Sequence, residues 1–385
     1  MIEKYYNGVI EQVVGGIGNV EHNSILVRYS NDFSIWDLES VNHYKDQTDI
    51  FFTCHEFSYN KIAEAYEPYL GLIRQMFHKY CSGTLEEFME ECDVYKLQRP
   101  VFESYFEKGF CERTEQILID EVEYEQERMR NSIVTMLQKL SEIRPVVIVL
   151  NRFQLASKST MQLSNSLLQV KNKNIGIVLG VNDVQSIPEF AHEEWDAICE
   201  SMDDRNMVYH IGNAGRNMEP DVMDYYSDYE SDDGYRKLNN LVYFLDFDQA
   251  DHHLSKIERR IKFDNFTISE KKHYQLLLLQ IMVSVLQRDI AKALESCEDL
   301  EKLQDQEKEG AFYYNFWMAT SYMYLGKLEE AMIYVQKAKE CGEALGDDFL
   351  VFRAELLKAQ NQMSGWCNIF SVSYTHLTLP TILRV

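Results

Sequence analysis

Few side chains of this 385-residue sequence have types and spacing that could do chemistry. Cys54-His55-Glu56 places a thiol, an imidazole and a carboxylate side by side, the groups of a nucleophile, a base and an orienting acid. On a strand, successive side chains point to opposite faces, so these three diverge, and no partner histidine is spaced for a metal. His252-His253 stands beside Asp248 and Asp251 on a helical pattern and reads as a surface patch. Glu219 to Asp233 holds seven acids and invites comparison with a calcium loop, which needs glycine at its sixth position and glutamate at its twelfth. Counted from Asp228, glycine comes seventh and Lys237–Asn240 offers no acid, so the stretch reads as a solvated linker. Val14-Gly15-Gly16-Ile17-Gly18 has no lysine to neutralise a phosphate and reads as a plain turn. A G-x-S-x-G nucleophile elbow is absent.

The elements that would position any site are clearest from Arg144 to Asp183. Pro145 to Leu150 is a bounded, valine-rich apolar run that predicts a buried parallel strand. Met161, Leu163, Leu167 and Val170 follow at helical spacing, and Ile175 to Leu179 is a second β-branched run ending at Gly180, which completes a βαβ unit. Upstream, Ile2, Tyr6, Val9 and Val13 predict an amphipathic helix, Ser24–Arg28 and Ile50–Cys54 predict strands, and Ile35 onward can start a helix.

Over residues 1 to 200 this layout resembles the nucleotide-binding module of the signal-transduction ATPases with numerous domains (STAND), relatives of AAA ATPases. In that family a strand ends in paired acids, followed by a Leu-His-Trp-Ala-Asp-like turn, a helix and a further strand. Here the acidic pair falls on Asn151 and Arg152, the turn on Phe153-Gln154-Leu155-Ala156 and the last acid on Ser157, while Ala65-Tyr66-Glu67-Pro68-Tyr69-Leu70 resembles the motif that opens a following helix. The phosphate loop, G-x-x-x-x-G-K-[ST], falls on Tyr29 to Trp36, where Tyr29 and Ser34 stand for the glycines, Ile35 for the lysine and Trp36 for the hydroxyl. The resemblance therefore implies the fold of a P-loop NTPase with degenerate motifs. It implies no bound cofactor beyond residual nucleotide held by backbone donors, because an amide and a guanidinium cannot hold Mg²⁺ or polarise water.

Downstream the pattern turns helical and repetitive. Ala319, Tyr322, Gly326, Ala331, Val335 and Ala338 follow the order of small and packing residues in tetratricopeptide (TPR) repeats. An earlier copy aligns Arg288 with Gly326 and Ala293 with Ala331, a spacing of 38, and the next copy puts Gly365 at its turn. Leu245 to Ile257 is a still earlier fragment, with Ala250 and Leu254 in equivalent roles. The aromatic cluster Tyr313-Tyr314-Phe316-Trp317 is expected in the core rather than on a peptide-binding face. Val372 to Thr381 matches a translated sequencing adaptor, so 371–385 is expected to be an artefact and the natural protein to continue past Phe370.

Composition narrows the function. A net charge of −24, from 62 acidic against 38 basic residues, argues against a nucleic-acid grip. No apolar run approaches a membrane span and Met1 to Asn7 carries no signal-peptide pattern, while eight scattered cysteines without a C-x-x-C pair fit a reducing, cytoplasmic compartment. The expected architecture is an α/β three-layer, P-loop-like domain with a mainly parallel sheet at 1–215, an acidic linker at 216–240 and an all-α TPR-like array at 241–370. The expected function is that of a bacterial signalling protein: a catalytically inactive NTPase-like domain and an array that docks a protein or peptide partner, together controlling an output domain. By resemblance, that output is a helix-turn-helix transcriptional regulator or a GGDEF diguanylate cyclase. An active ATP-binding STAND-type NTPase with unorthodox motifs, and a plain TPR scaffold, are the rival classes.

Overall fold

A computed structural model describes residues 2–19, 23–30, 34–47, 49–58, 61–111, 122–170, 172–182, 187–203, 207–211, 229, 231–263 and 266–363. Among these residues five strands, β1 (Ser24–Tyr29), β2 (Phe51–Glu56), β3 (Val146–Asn151), β4 (Ile175–Asn182) and β5 (Val208–Ile211), form one sheet in the order β2-β3-β4-β1-β5. Every pairing is parallel. The two runs of the βαβ unit are neighbours as expected, with Val146 opposite Ile175. Every residue of β3 and β4 is buried, as in a parallel sheet covered on both faces, which is why these strands read as unbroken apolar runs. β5 lacks that signal because Tyr209 and His210 are exposed.

The helices of this part are α1 (Ile2–Gly16), α2 (Glu39–Tyr44), α3 (Tyr69–Tyr80), α4 (Leu85–Glu91), α5 (Arg99–Lys108), α6 (Val122–Ile143), α7 (Lys158–Gln169), α8 (His192–Asp203) and α9 (Asp232–Tyr243). α1 buries Tyr6, Val9, Ile10 and Val13 and packs on β1, β3 and β4. The glycine-rich turn expected at Val14–Gly18 is corrected: α1 continues through Gly16, because its apolar face reaches that far, and the chain leaves the helix at Gly18, whose φ is +93°. The helix expected from Ile35 is a single 3-10 turn, Ile35–Asp37, ahead of α2.

The chain divides into two compact units between His253 and Leu254. The reason is polar as well as apolar. Asn240 of α9 accepts from the Cys111 amide at 2.8 Å and donates to Glu64 at 2.9 Å, and the fully buried Asp246 accepts from the Ser159 amide at 2.9 Å, so these residues belong with the sheet. Most of 219–233, with Asp228, lies outside the described residues, as do Gly365 and 371–385.

The second unit is helical: the end of α10 (Phe247–Phe263), α11 (Glu270–Leu286), α12 (Ile290–Glu301), α13 (Gly310–Tyr324), α14 (Leu328–Leu345) and helical residues 348–363. α11 packs on α12, and α13 on α14, each pair joined by a short turn. Arg288 and Gly326 hold the same left-handed place in those turns, with φ of +65° and +72°. Ala293 and Ala331 follow five residues later, and both are fully buried. Ala319 and Ala338 are likewise buried, whereas Tyr322 is half-buried and stacks on Tyr334 with ring centroids 5.5 Å apart. Tyr313, Phe316 and Trp317 lie in the core as expected, whereas Tyr314 is half-buried and packs edge-on against Tyr334. Because Ala331 is fully buried, Ala331→Phe is expected to overpack the helix pair and lower stability by about 1–3 kcal/mol. An unchanged denaturation midpoint would refute this packing. Among the described residues no helix is long and apolar enough to cross a membrane.

Candidate functional site

In an open parallel sheet, ligands bind at the carboxyl ends of adjacent strands whose outgoing connections run in opposite directions. That point lies between β1 and β4: the chain leaves β1 for β2 at one edge and leaves β4 for β5 at the other. Tyr29 and Asn182, the last residues of β1 and β4, stand opposite each other, as do Glu56 and Asn151 at the ends of β2 and β3. The phosphate-loop and acidic-pair positions expected from sequence thus come to one place. Tyr29, Ile35, Asn151 and Arg152 meet there, while Trp36 is about half exposed and Ser34 caps the 3-10 turn by accepting from the Trp36 amide at 3.4 Å. Residues 31–33 of the expected loop lie outside the described residues.

Glu56 joins these groups. Its Oε2 accepts the Ile35 N–H at 2.8 Å, and its Oε1 pairs with Arg152 Nη1 at 2.9 Å. Asn151 Nδ2 approaches the same carboxylate at 3.4 Å, while Asn151 Oδ1 accepts from the Tyr29 hydroxyl at 2.8 Å. Arg152 adopts a left-handed φ of +53°, a conformation that costs a non-glycine residue free energy and here turns its guanidinium back to Glu56. Gln154 Oε1, fully buried, accepts the Asn182 N–H at 3.1 Å. The backbone donor at Ile35 and the cation at Arg152 are therefore already engaged by an internal anion.

The sequence reading set Glu56 aside with Cys54 and His55. His55 does diverge from the other two and goes to Glu67 at 3.4 Å, whereas Cys54 and Glu56, two apart on the strand, share a face. What the reading missed is that Glu56 ends a strand in register with Asn151, a relation that only strand pairing reveals.

A second polar cluster lies where Ala63–Leu70 meets the start of α7. Ser157, at the position of the family's last acid, accepts from the Thr160 amide and donates to the Glu64 carbonyl at 2.8 Å; Thr160 donates to the Glu67 carbonyl at 3.1 Å, and Tyr69 meets Ser164 at 2.7 Å. Burial, then the nearby charge of Glu67, pushes the Glu64 carboxyl up to about 7. Burial also pushes His55 down to about 4, so it is neutral near pH 7. These groups satisfy one another and read as packing polar residues.

The expectation of a surface patch at His252-His253 is half corrected. His252 is exposed, but His253 is buried against Tyr229 and Gln249 at 3.0 Å each, because the pair straddles the inner edge of α10. No family model, curated protein or solved structure matches the chain.

Proposed function

We propose that this chain is a signalling protein whose α/β unit is a P-loop-derived domain that has lost phosphoryl transfer, and whose helical unit is a TPR-like array that docks a protein or peptide partner. In this reading the pair relays the partner's presence to an output function of the kind the resemblance implies. The observation that carries it is Glu56: its carboxylate takes up the Ile35 N–H and the Arg152 guanidinium at the point where the fold would hold a phosphate. Catalysis of phosphoryl transfer needs positioned positive charge and Mg²⁺ at that point. An isoleucine, an asparagine and an already paired arginine supply neither. The buried alanines at equivalent places in successive helix pairs support the array reading.

Purified protein is expected to release no phosphate above background from ATP or GTP with Mg²⁺. Turnover that follows the protein through purification and disappears on mutation of the Tyr29–Trp36 segment would overturn the reading in favour of an active NTPase.

A further inference from the structure

Among the described residues, β2 is the edge strand of the sheet, paired on one side only, with β3. Its amides at Phe51 and Phe57 donate to Pro145 and Asn151, so alternation in a parallel ladder turns Phe51, Thr53 and His55 toward β3 and leaves the N–H and C=O of Phe52 and Cys54 facing away. Among the described residues, those groups face no neighbouring strand. They open into a groove of about 760 Å³ between the end of α2 and the second half of α3.

The chemistry of that groove is unlike the rest of the chain. Acids outnumber bases 62 to 38 overall, yet among the described residues the groove is lined by Lys45, Arg74, His78 and Lys79 and by no Asp or Glu. Lys45 and Lys79 are exposed, and neither has a carboxylate within 4.0 Å among the described residues. Lys79 instead lies 5.9 Å from the Phe51 ring centroid and 5.3 Å from that of Tyr80. Arg74 is held in place by the Phe106 carbonyl at 2.7 Å. Lysines on a free edge also discourage edge-to-edge aggregation. That role alone does not call for a groove with aromatic walls and a positioned arginine.

We infer that the β2 edge is a docking site for an extended, acidic peptide segment of a partner protein, which adds to the sheet as a sixth strand. Main-chain hydrogen bonds to Phe52 and Cys54 would supply register, the lysines would select acidic side chains, and the aromatic walls would take apolar residues at alternate positions. The strand is six residues long, so the segment it can hold spans about 20 Å. This site belongs to the α/β unit and does not depend on the reading given above for the strand ends.

The test is fluorescence anisotropy on the full chain with a labelled, end-blocked octapeptide that alternates valine or tyrosine with aspartate or glutamate. Three controls are a lysine-for-acid version, a version N-methylated at alternate amides, and the protein variants Lys45→Glu and Lys79→Glu, whose folding is checked by circular dichroism. Saturable binding is expected for the acidic peptide. It should be lost on N-methylation and in the lysine version, and weakened about tenfold by each charge reversal and by added salt. Equal binding of the lysine version, survival of binding after N-methylation, or indifference to both charge reversals would overturn the proposal. So would sedimentation showing that the free edge pairs two copies of the chain, or tighter binding of a peptide of residues 219–233, which would make the occupant this chain's own acidic segment.

Discussion

Gly180→Ala is expected to destabilise the α/β unit by about 3 kcal/mol, the sum of overpacking and the disturbance of a buried polar contact. Gly180 lies in β4 directly beneath the network at the strand ends, and it carries no unusual backbone angle; space alone requires it. A methyl group there would overlap the Tyr6 hydroxyl and come within 2.7 Å of Asn151 Oδ1. Tyr6 is fully buried on α1, and Asn151 accepts from Tyr29 across β4, so neither can move aside without breaking packing or a hydrogen bond. Gly8→Ala is the control. Gly8 lies within α1 with no atom within 4 Å of the added carbon, and alanine there should be neutral or add about 0.5–1 kcal/mol by favouring the helix. Chemical denaturation of the three proteins decides the matter. A Gly180→Ala midpoint equal to that of the unaltered protein would show that β4 does not need the gap.

How much of this could be read from the residues varies from element to element. β3 and β4 were legible because a strand covered on both faces is apolar at every position. The helix pairs were legible because close packing of two helices demands small residues at fixed intervals, as at Ala293 and Ala331. β5 was not, since its short run is partly exposed and its side chains carry no period. The place where the two compact units divide was not legible, for a physical reason too. An acidic stretch marks solvent, but the residues after it return to the sheet through Asn240 and Asp246, whose buried partners lie more than eighty residues earlier in sequence. The strand-end positions could be counted off from the motif, which placed Tyr29, Ile35, Asn151 and Arg152 together. Glu56 was invisible to that count, because its role follows from the pairing of β2 with β3 and belongs to no local motif.

Glu56→Ala should be the most damaging single change at the strand ends after Gly180→Ala, at about 2–3 kcal/mol. The estimate starts from the 3–5 kcal/mol typical of removing one partner of a buried ion pair and is reduced because both side chains keep some exposure, 11% for Glu56 and 17% for Arg152. The change leaves the Arg152 guanidinium without its carboxylate and the Ile35 N–H without its acceptor. Removing both charges in Glu56→Ala/Arg152→Ala should cost less than the two single changes added together, with a coupling on the order of 1–2 kcal/mol. A second readout separates an internal anion from an ordinary ion pair. If Glu56 fills the place of a phosphate, then inorganic phosphate should raise the denaturation midpoint of Glu56→Ala more than that of the unaltered protein, because the vacated donors prefer a bound anion. The double variant, which lacks the cation, should lose most of that response. Equal phosphate dependence in all three proteins would reduce Glu56–Arg152 to a structural pair and remove the support it gives to an NTPase-derived origin for this domain.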